Sequence, residues 1–434
     1  MENTLSSFWQ RNRMIFKGLL IGFLILLLLI PTFMIQDLVH ERQGRQAEAI
    51  MEVSSKWAGQ QVINGPVIAI PYWQLVTDSK GIVSRNRQQA YFLPDELNID
   101  SKVLPEKRYR GIYQVMVYTS DVTLRGAFGA FNFASLKIPA ENILWNEAVV
   151  YFSVNDVRGL REEVKFTRNR ETLELMPGKF SDEQFTESLS SGLPLSDSLH
   201  GQGFVFDVNL KLKGSQSLLF VPLGKKTTVS MQSSWPDPSF TGNYLPDNRN
   251  IKDSGFTANW NVLSLNRAYP QQWTARTYDL NASAFGVNLE VPVDTYQKSL
   301  RSVKYAILCI VLTFTAFFLI ELIYKRSLHP LQYVLVGFAL CIFYTLLLSI
   351  SEYLGFNTAY VMAAVATVLL IAWYVSAVLK SGRMALFISL LLAAMYGFIY
   401  ILIQSQDYAL LMGSIGLFIT LGLVMYFSRK VKWT

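Results

Sequence analysis

The chain has 434 residues, of which 51% are hydrophobic and 16% charged, and its mean hydropathy is +0.25. Soluble domains are about 25% charged, so this composition argues against a soluble enzyme and against disorder, which requires low hydrophobicity. The net charge of +7, from 39 Lys+Arg against 32 Asp+Glu, acquires meaning only from where the charges fall.

In chain order, the first element is an apolar run, Gly18–Ile35 (GLLIGFLILLLLIPTFMI), behind a basic start at Arg11, Arg13 and Lys17. About 20 apolar residues cross ~30 Å of hydrocarbon. The run exceeds a signal-peptide core and lacks a small-x-small cleavage site, so an uncleaved signal anchor is expected. Pro31 is expected to kink or end that helix. Gln36–Gly59 contains no Pro and is rich in helix formers, which predicts a helical extension beyond the span.

The period then changes to two. Phe204, Phe206, Val208, Leu210 and Leu212 alternate with polar neighbours and predict a half-buried strand. Tyr113, Val115 and Val117 alternate up to Ser120-Asp121, and Val122, Leu124 and Gly126 lead away, which suggests a hairpin turning at Ser120-Asp121. Pro66–Pro71, Val149–Val154, Thr227–Ser233 and Val287–Val293 read as further strands. SWPDPSF (Ser234–Phe240) and LPDNRN (Leu245–Asn250) read as turns between them. The Ser-rich stretch Ser181–Leu193 reads as a surface helix or loop joining two halves. Repeated short strands predict a mostly antiparallel sandwich or barrel-like domain.

Five more apolar runs follow: Tyr305–Ile323, Leu331–Ile350, Thr358–Leu379, Met384–Ile403 and Tyr408–Phe427. Lys and Arg concentrate in alternate short segments, at Lys325/Arg326, Lys380/Arg383 and Arg429/Lys430/Lys432. The intervening loops carry only Glu352 and Asp407. By the positive-inside rule both termini are cytoplasmic and residues 36–304 lie outside. That outer segment holds 29 Lys+Arg and 28 Asp+Glu, so the basic excess lies in the spans and their short flanks. It is a topology signal, not a nucleic-acid footprint. The expected fold is therefore a membrane protein with six transmembrane α-helices, one N-terminal and five C-terminal. Residues 1–35 hold the first span, 36–304 a large inserted β-rich, mostly antiparallel periplasmic domain, and 305–434 a five-helix bundle. The outer region has no cysteine, since Cys309 and Cys341 both fall in spans, and a bacterial inner membrane fits best.

Chemistry is sparse. The three histidines are His40, His200 and His329, and no HExxH, CxxC or phosphate-binding glycine motif occurs. No cofactor or metal is expected. A hydrolase would have to use His200 in the polar run Ser196–Gly203. The carboxylate pairs Asp95/Glu96, Glu162/Glu163 and Asp182/Glu183 read as solvated faces, because neighbours on a strand point to opposite sides. Within the spans the ionisable residue is Glu321, near the cytoplasmic end of its helix. It is a candidate intramembrane polar residue. Tyr344, Tyr374, Tyr396, Tyr400, Thr313, Thr315 and Thr367 read as interhelical polar contacts. Trp235, Asp237, Phe240 and Tyr244 form either a turn capping the core or a loop that contacts a partner. Asp156 and Arg158 read as a pair holding a strand end. Lys107, Arg108 and Arg110 read as a solvated face or a contact for anionic envelope polymer.

Several blocks together resemble one family. They are NGPVIAIPY (Asn64–Tyr72), YFLPDELNID (Tyr91–Asp100), RGIYQVMVYTSDVTLRGAF (Arg110–Phe128), SVNDVRGL (Ser153–Leu160) and SSWPDPSFTGNYLP (Ser233–Pro246). In the bundle they are KYAILCIVLTFTAFFLIEL (Lys304–Leu322), LHPLQYVLVGFAL (Leu328–Leu340) and SEYLGF (Ser351–Phe356). In this order they resemble the CreD inner-membrane proteins, also described as cell envelope integrity proteins. The resemblance implies a Gram-negative inner-membrane protein linked to a two-component system and to envelope stress, including colicin tolerance and responses to β-lactams. It brings no catalytic residue, cofactor or substrate. The partners expected are the lipid bilayer and a periplasmic protein or envelope polymer, with no nucleic acid. Two alternatives are a transporter or flippase using the C-terminal spans, and a periplasmic cell-wall enzyme.

Overall fold

The structure, a computed structural model, describes residues 13–77, 83–178, 180, 184–185, 188–195, 202–274, 276–289, 295–324, 328–405 and 408–429. It divides into two compact units, Glu48–Pro292, and Met1–Ala47 together with Val293–Thr434.

The first unit is β-rich. Its strands are β1 Gln61–Thr77, β2 Val83–Phe92, β3 Glu96–Arg110, β4 Tyr113–Phe128, β5 Val149–Val154, β6 Val164–Arg168, β7 Glu171–Pro177 and β8 Leu189–Gly192. They continue as β9 Phe204–Ser215, β10 Ser217–Phe220, β11 Lys226–Ser233, β12 Ser239–Gly242, β13 Asn248–Lys252, β14 Gly255–Leu263, β15 Gln272–Thr274 and β16 Phe285–Asn288. The path β6-β9-β4-β3-β11-β14-β13 forms one sheet, and β12-β16-β10-β1-β5-β8 forms the other, with β2 added on β1 and β15 on β2. Strand β7 joins them: it pairs with β6 through Glu171–Leu175 and with β8 through Met176 and Pro177. Pairings among the described strands are antiparallel except β1 with β10 and β3 with β11. Inward residues of both sheets share one core, from Leu97, Val122, Val208 and Met231 to Ile68, Phe152, Phe220 and Phe285. The alternation expected over Phe204–Leu212 is present, with all five apolar residues buried.

Three expectations are corrected. No hairpin turns at Ser120-Asp121, since β4 runs unbroken from Tyr113 to Phe128. The alternation passes straight through: Ser120 points inward, where its hydroxyl meets Ser101 Oγ at 3.2 Å, and Asp121 points out. The turn lies at Gly111-Ile112, where Gly111 adopts φ +60°, a conformation glycine takes without a Cβ penalty. The stretch Ser181–Leu193 includes the buried strand β8, in which Ser190 and Ser191 are buried along with neighbouring Ser188. Ser190 Oγ accepts from Phe180 N and Ser188 Oγ donates to Phe185 O, so these hydroxyls are not orphaned by burial. Residues 181–183 and 186–187 of that stretch lie outside the described residues. Finally, the last strand is Phe285–Asn288, shifted from Val287–Val293, and residues 290–294 lie outside the described residues.

Helix α1, Arg13–Trp57, belongs to the helical unit as far as Ala47 and to the β-rich unit from Glu48, and it continues through Pro31 instead of ending there. Pro31 leaves the Leu27 carbonyl without its helical N–H, and the adjacent Thr32 Oγ1 donates to a different carbonyl, Leu29 O, at 2.6 Å. The extension expected beyond Gln36 is helical. Further helices are α2 Thr295–Lys304, α3 Ala306–Tyr324, α4 Pro330–Leu354, α5 Phe356–Leu379, α6 Gly382–Gln404 and α7 Ala409–Ser428. Among the described residues five helices are long and apolar enough to cross a membrane: α1, the run Thr295–Ile323, α4, α5 and α6. The sixth is shorter, with its apolar part at Leu410–Tyr426. Leu369, Trp373, Leu390 and Phe418 are exposed although apolar, as a surface bathed in hydrocarbon allows. Between α4 and α5 the junction is one residue, Gly355 at φ +75°. His329 and Pro330 open α4: His329 Nδ1 accepts from Leu331 N, and Gln332 Oε1 accepts from His329 N. This capping arrangement gives His329 a structural role.

Candidate functional site

Glu321 is the centre of a polar cluster in the helical unit. It sits in the last turn of α3 and is only 9% exposed. Lys17 on α1 forms an ion pair with its Oε1 and also donates to Leu328 O at 2.9 Å. Tyr333, one turn into α4, donates its hydroxyl to Glu321 Oε2 at 3.2 Å. Three chain segments thus converge on one carboxylate, which is shielded by Phe314 and Phe317 edge-on to the Tyr333 ring. Beside it Phe317, Leu328, Tyr333 and Val375 line a crevice with room for about a single water. A second cluster ties α1 and α4 again, now with α2: Arg42 Nε lies 3.7 Å from Glu352 Oε1, which also accepts from Tyr296 Oη at 3.2 Å. Lys17 and Arg42 are 25 residues apart on α1, about 37 Å at 1.5 Å per residue. That matches a hydrocarbon core with part of each interface.

The sequence offered Glu321 alone, with Lys17 in the basic start and Glu352 in a short loop. The convergence was not visible, although opposite charges near the ends of separate apolar runs were a usable signal. The bundle interior is filled by Phe343, Tyr344 and Tyr396, each at most 2% exposed. Tyr360 Oη donates across helices to the backbone carbonyl Tyr396 O at 2.8 Å, whereas the Tyr396 hydroxyl, expected to make such a contact itself, is buried without a partner among the described residues.

In the β-rich unit the residues Trp235, Asp237, Phe240 and Tyr244 come together as the corner after β11. Trp235 is buried, and its indole Nε1 donates to Asp237 O at 2.8 Å, closing the turn. Phe240 stands edge-on to Phe256 and Trp260, and Tyr244 edge-on to Phe285. Tyr244 Oη donates to Asn266 O at 2.7 Å, and Trp260 Nε1 donates to Tyr244 O at 3.2 Å. Of the four, only the Asp237 side chain is exposed. The aromatics cap the core from its rim.

The basic run grips the end of α1. Within this unit Arg110 Nε pairs with Glu52 at 2.8 Å. The Trp57 ring lies between Arg108 and Lys213, 4.9 and 4.6 Å from its centre, and its Nε1 donates to Tyr118 O at 3.4 Å. Ser215 Oγ donates to Ser54 Oγ at 2.8 Å. Arg158 Nη1 donates to Ser55 O at 2.7 Å, meeting one of the carbonyls that a helix C-terminus leaves free. Asp156 holds Arg158 in place by accepting from its Nε and Nη2 at 2.9 and 2.7 Å, and it accepts from Gly59 N at 2.9 Å. Glu162 pairs with Lys211 at 2.7 Å, and Lys107 lies 5.6 Å from the Trp235 ring centre.

The Arg158 hydrogen bonds, helped by two backbone N–H donors and opposed by burial, hold the Asp156 carboxyl at about 2. An unfolded Asp titrates near 3.9. Its contribution to stability is therefore complete above pH ~4 and lost as pH falls through about 2. Unfolding of the detergent-solubilised protein followed between pH 5 and 2 should show about 1–2 kcal/mol of acid-dependent loss that Asp156→Asn lacks. Equal acid sensitivity in the two proteins would contradict this assignment.

Among the described residues no three His, Cys, Asp or Glu side chains group to hold a metal. His40 is exposed, and His200 and the pair Asp182/Glu183 lie outside the described residues.

Comparison with known proteins follows the same lines. The model of the family described as inner membrane protein CreD matches residues 13–434. The inner membrane protein CreD of Escherichia coli (strain K12) is 34% identical over 414 residues, covering 94% of this chain and 91% of that protein. The relative's name places it in the inner membrane and carries no enzymatic activity.

Proposed function

The chain belongs to the CreD family of inner membrane proteins, and from that premise we propose that it supports cell-envelope integrity under stress by binding, not by catalysis. In this reading the β-rich domain faces the periplasm, both termini are cytoplasmic, and the domain recognises a periplasmic protein or an envelope polymer. The role includes the response to β-lactams and tolerance of colicins, under a two-component system. One observation supports binding over chemistry most. Many of the described polar groups that could have served a reaction are engaged in holding the fold. Asp156 and Arg158 cap a helix end, Arg108 and Arg110 grip Trp57 and Glu52, Glu162 pairs with Lys211, and His329 caps α4. The filled bundle interior around Phe343, Tyr344 and Tyr396 favours an anchor over a conduit.

The test uses cells. A photo-crosslinking residue at exposed Asp237 or Ile251 should yield one reproducible adduct, and deletion of the gene should alter killing by colicins and β-lactams. Absence of any adduct together with unchanged killing in the deletion strain would end this reading.

A further inference from the structure

Two arginines of the β-rich unit are buried among its described residues, and they are treated differently. Arg168 has an ion pair with Glu171 and donates Nη1 to Pro194 O at 2.9 Å. Arg267, in the connection between β14 and β15, is 9% exposed and donates only Nη2, to the neutral carboxamide of Gln271. Its Nε and Nη1 are buried with no acceptor among the described residues. Burial lowers its affinity for the proton, and the groups that offset this are the phenols of Tyr269 and Tyr244, not a carboxylate.

The neighbours that surround this cation are themselves fixed. The guanidinium carbon lies 4.6 Å from the centre of the Tyr269 ring. That ring is anchored by Tyr269 Oη, which lies 3.1 Å from Pro222 O and 3.0 Å from Ser283 Oγ. Gln271 is held by Nε2 donating to Pro94 O at 2.6 Å. Tyr244, half-buried, is pinned through Asn266 O. A buried charge is costly unless it is paired, and a buried donor without an acceptor calls for a partner from elsewhere. Here the walls are preorganised and the donors are left over, which is the condition of a site awaiting an acceptor. Leu245 and Leu265, adjoining Tyr244 and Asn266 in sequence, are 71% and 91% exposed.

We propose that Arg267, with Tyr244 at its rim, binds an oxyanion, a carboxylate or phosphate carried by a small organic ligand or a lipid headgroup. The site stands independently of the envelope role proposed above. The test uses full-length protein in dodecyl maltoside, titrated with inorganic phosphate, acetate or dihexanoyl-phosphatidylglycerol at ionic strength held constant with chloride. The melting temperature of the wild-type protein should rise saturably by about 2 °C or more with at least one probe. Arg267→Met should show no such rise and, without ligand, should be at least as stable as wild type, because it removes an unpaired buried charge. A rise with phosphate or acetate assigns a soluble anion; a rise with the lipid alone assigns a headgroup. No saturable rise with any probe, or the same rise in Arg267→Met, overturns the proposal. If Arg267→Met does not fold, Arg267→Lys serves. It keeps the charge but loses Nε and the planar fork, so affinity should fall about tenfold or more, and unchanged affinity overturns the site.

Discussion

Replacing Lys17 with Leu should lower the stability of the helical bundle by about 2–3 kcal/mol, and replacing Glu321 with Leu in the same protein should restore most of the loss. The reasoning is electrostatic. With Lys17 gone, the partner left to the buried Glu321 carboxylate among the described residues is the Tyr333 hydroxyl at 3.2 Å. Removing one partner of a buried pair exposes the full desolvation cost of the other, whereas removing both is close to neutral. The two single substitutions should also be unequal. Lys17 has a long aliphatic stem and, without Glu321, can reach outward to the interface. Glu321 is short and fixed on α3, so Lys17→Leu should cost more than Glu321→Leu. Tyr333→Phe removes one hydrogen bond to a charged acceptor and should cost about 1–2 kcal/mol. Unfolding midpoints in an SDS titration from dodecyl maltoside micelles measure all four. A double variant that is no better than Lys17→Leu would show that the residues contribute independently.

Trp57→Ala should be the second large loss, about 2–4 kcal/mol in the β-rich unit. Trp57 gives up packing, the hydrogen bond to Tyr118 O and two cation–π contacts, with Arg108 and Lys213. Each cation–π contact contributes about 0.5–1 kcal/mol at a partly exposed site, and the lost aromatic volume supplies the rest. Arg108→Ala and Lys213→Ala should each cost under about 1 kcal/mol and should have almost no effect once Trp57 is Ala. Thermal unfolding followed by near-UV circular dichroism of the wild type, the three single variants and the two double variants gives this pair of cycles. Additive losses would place the two cations' contributions somewhere other than the Trp57 ring.

What could be read from the sequence was the part controlled by local periodicity. Apolar runs of membrane length gave the spans, because every backbone group in lipid must be satisfied within its own segment. Strict alternation over Phe204–Leu212 gave β9. Readings failed where polar residues are satisfied across the fold. Ser120 looked like a turn because its partner, Ser101, is 19 residues away and on another strand. Ser188–Ser191 looked like a surface because the backbone groups that accept or donate to them cannot be seen in a linear string. Pro31 read as a kink or an end, and the helix does not end there. The candidate site follows the same rule. Glu321 was legible as an anomaly, a charge in an apolar run, while Lys17 and Tyr333 became its partners only through packing. Arg267 resembled any surface arginine, since nothing local marks it as buried.

The two ion pairs of α1 also set a phase. An α-helix turns ~100° per residue, and Lys17 and Arg42 meet Glu321 and Glu352 from one continuous helix. A single residue inserted between positions 17 and 42 would swing one side chain about a quarter turn from its acid, and deletion of one residue would do so in the opposite sense. Adding seven residues would return the face but displace the contact by ~10 Å along the axis. Neither change alters apolar composition. The length of this segment is therefore constrained more tightly than its hydrophobicity, and it should tolerate substitution of one aliphatic residue for another far better than any change in their number.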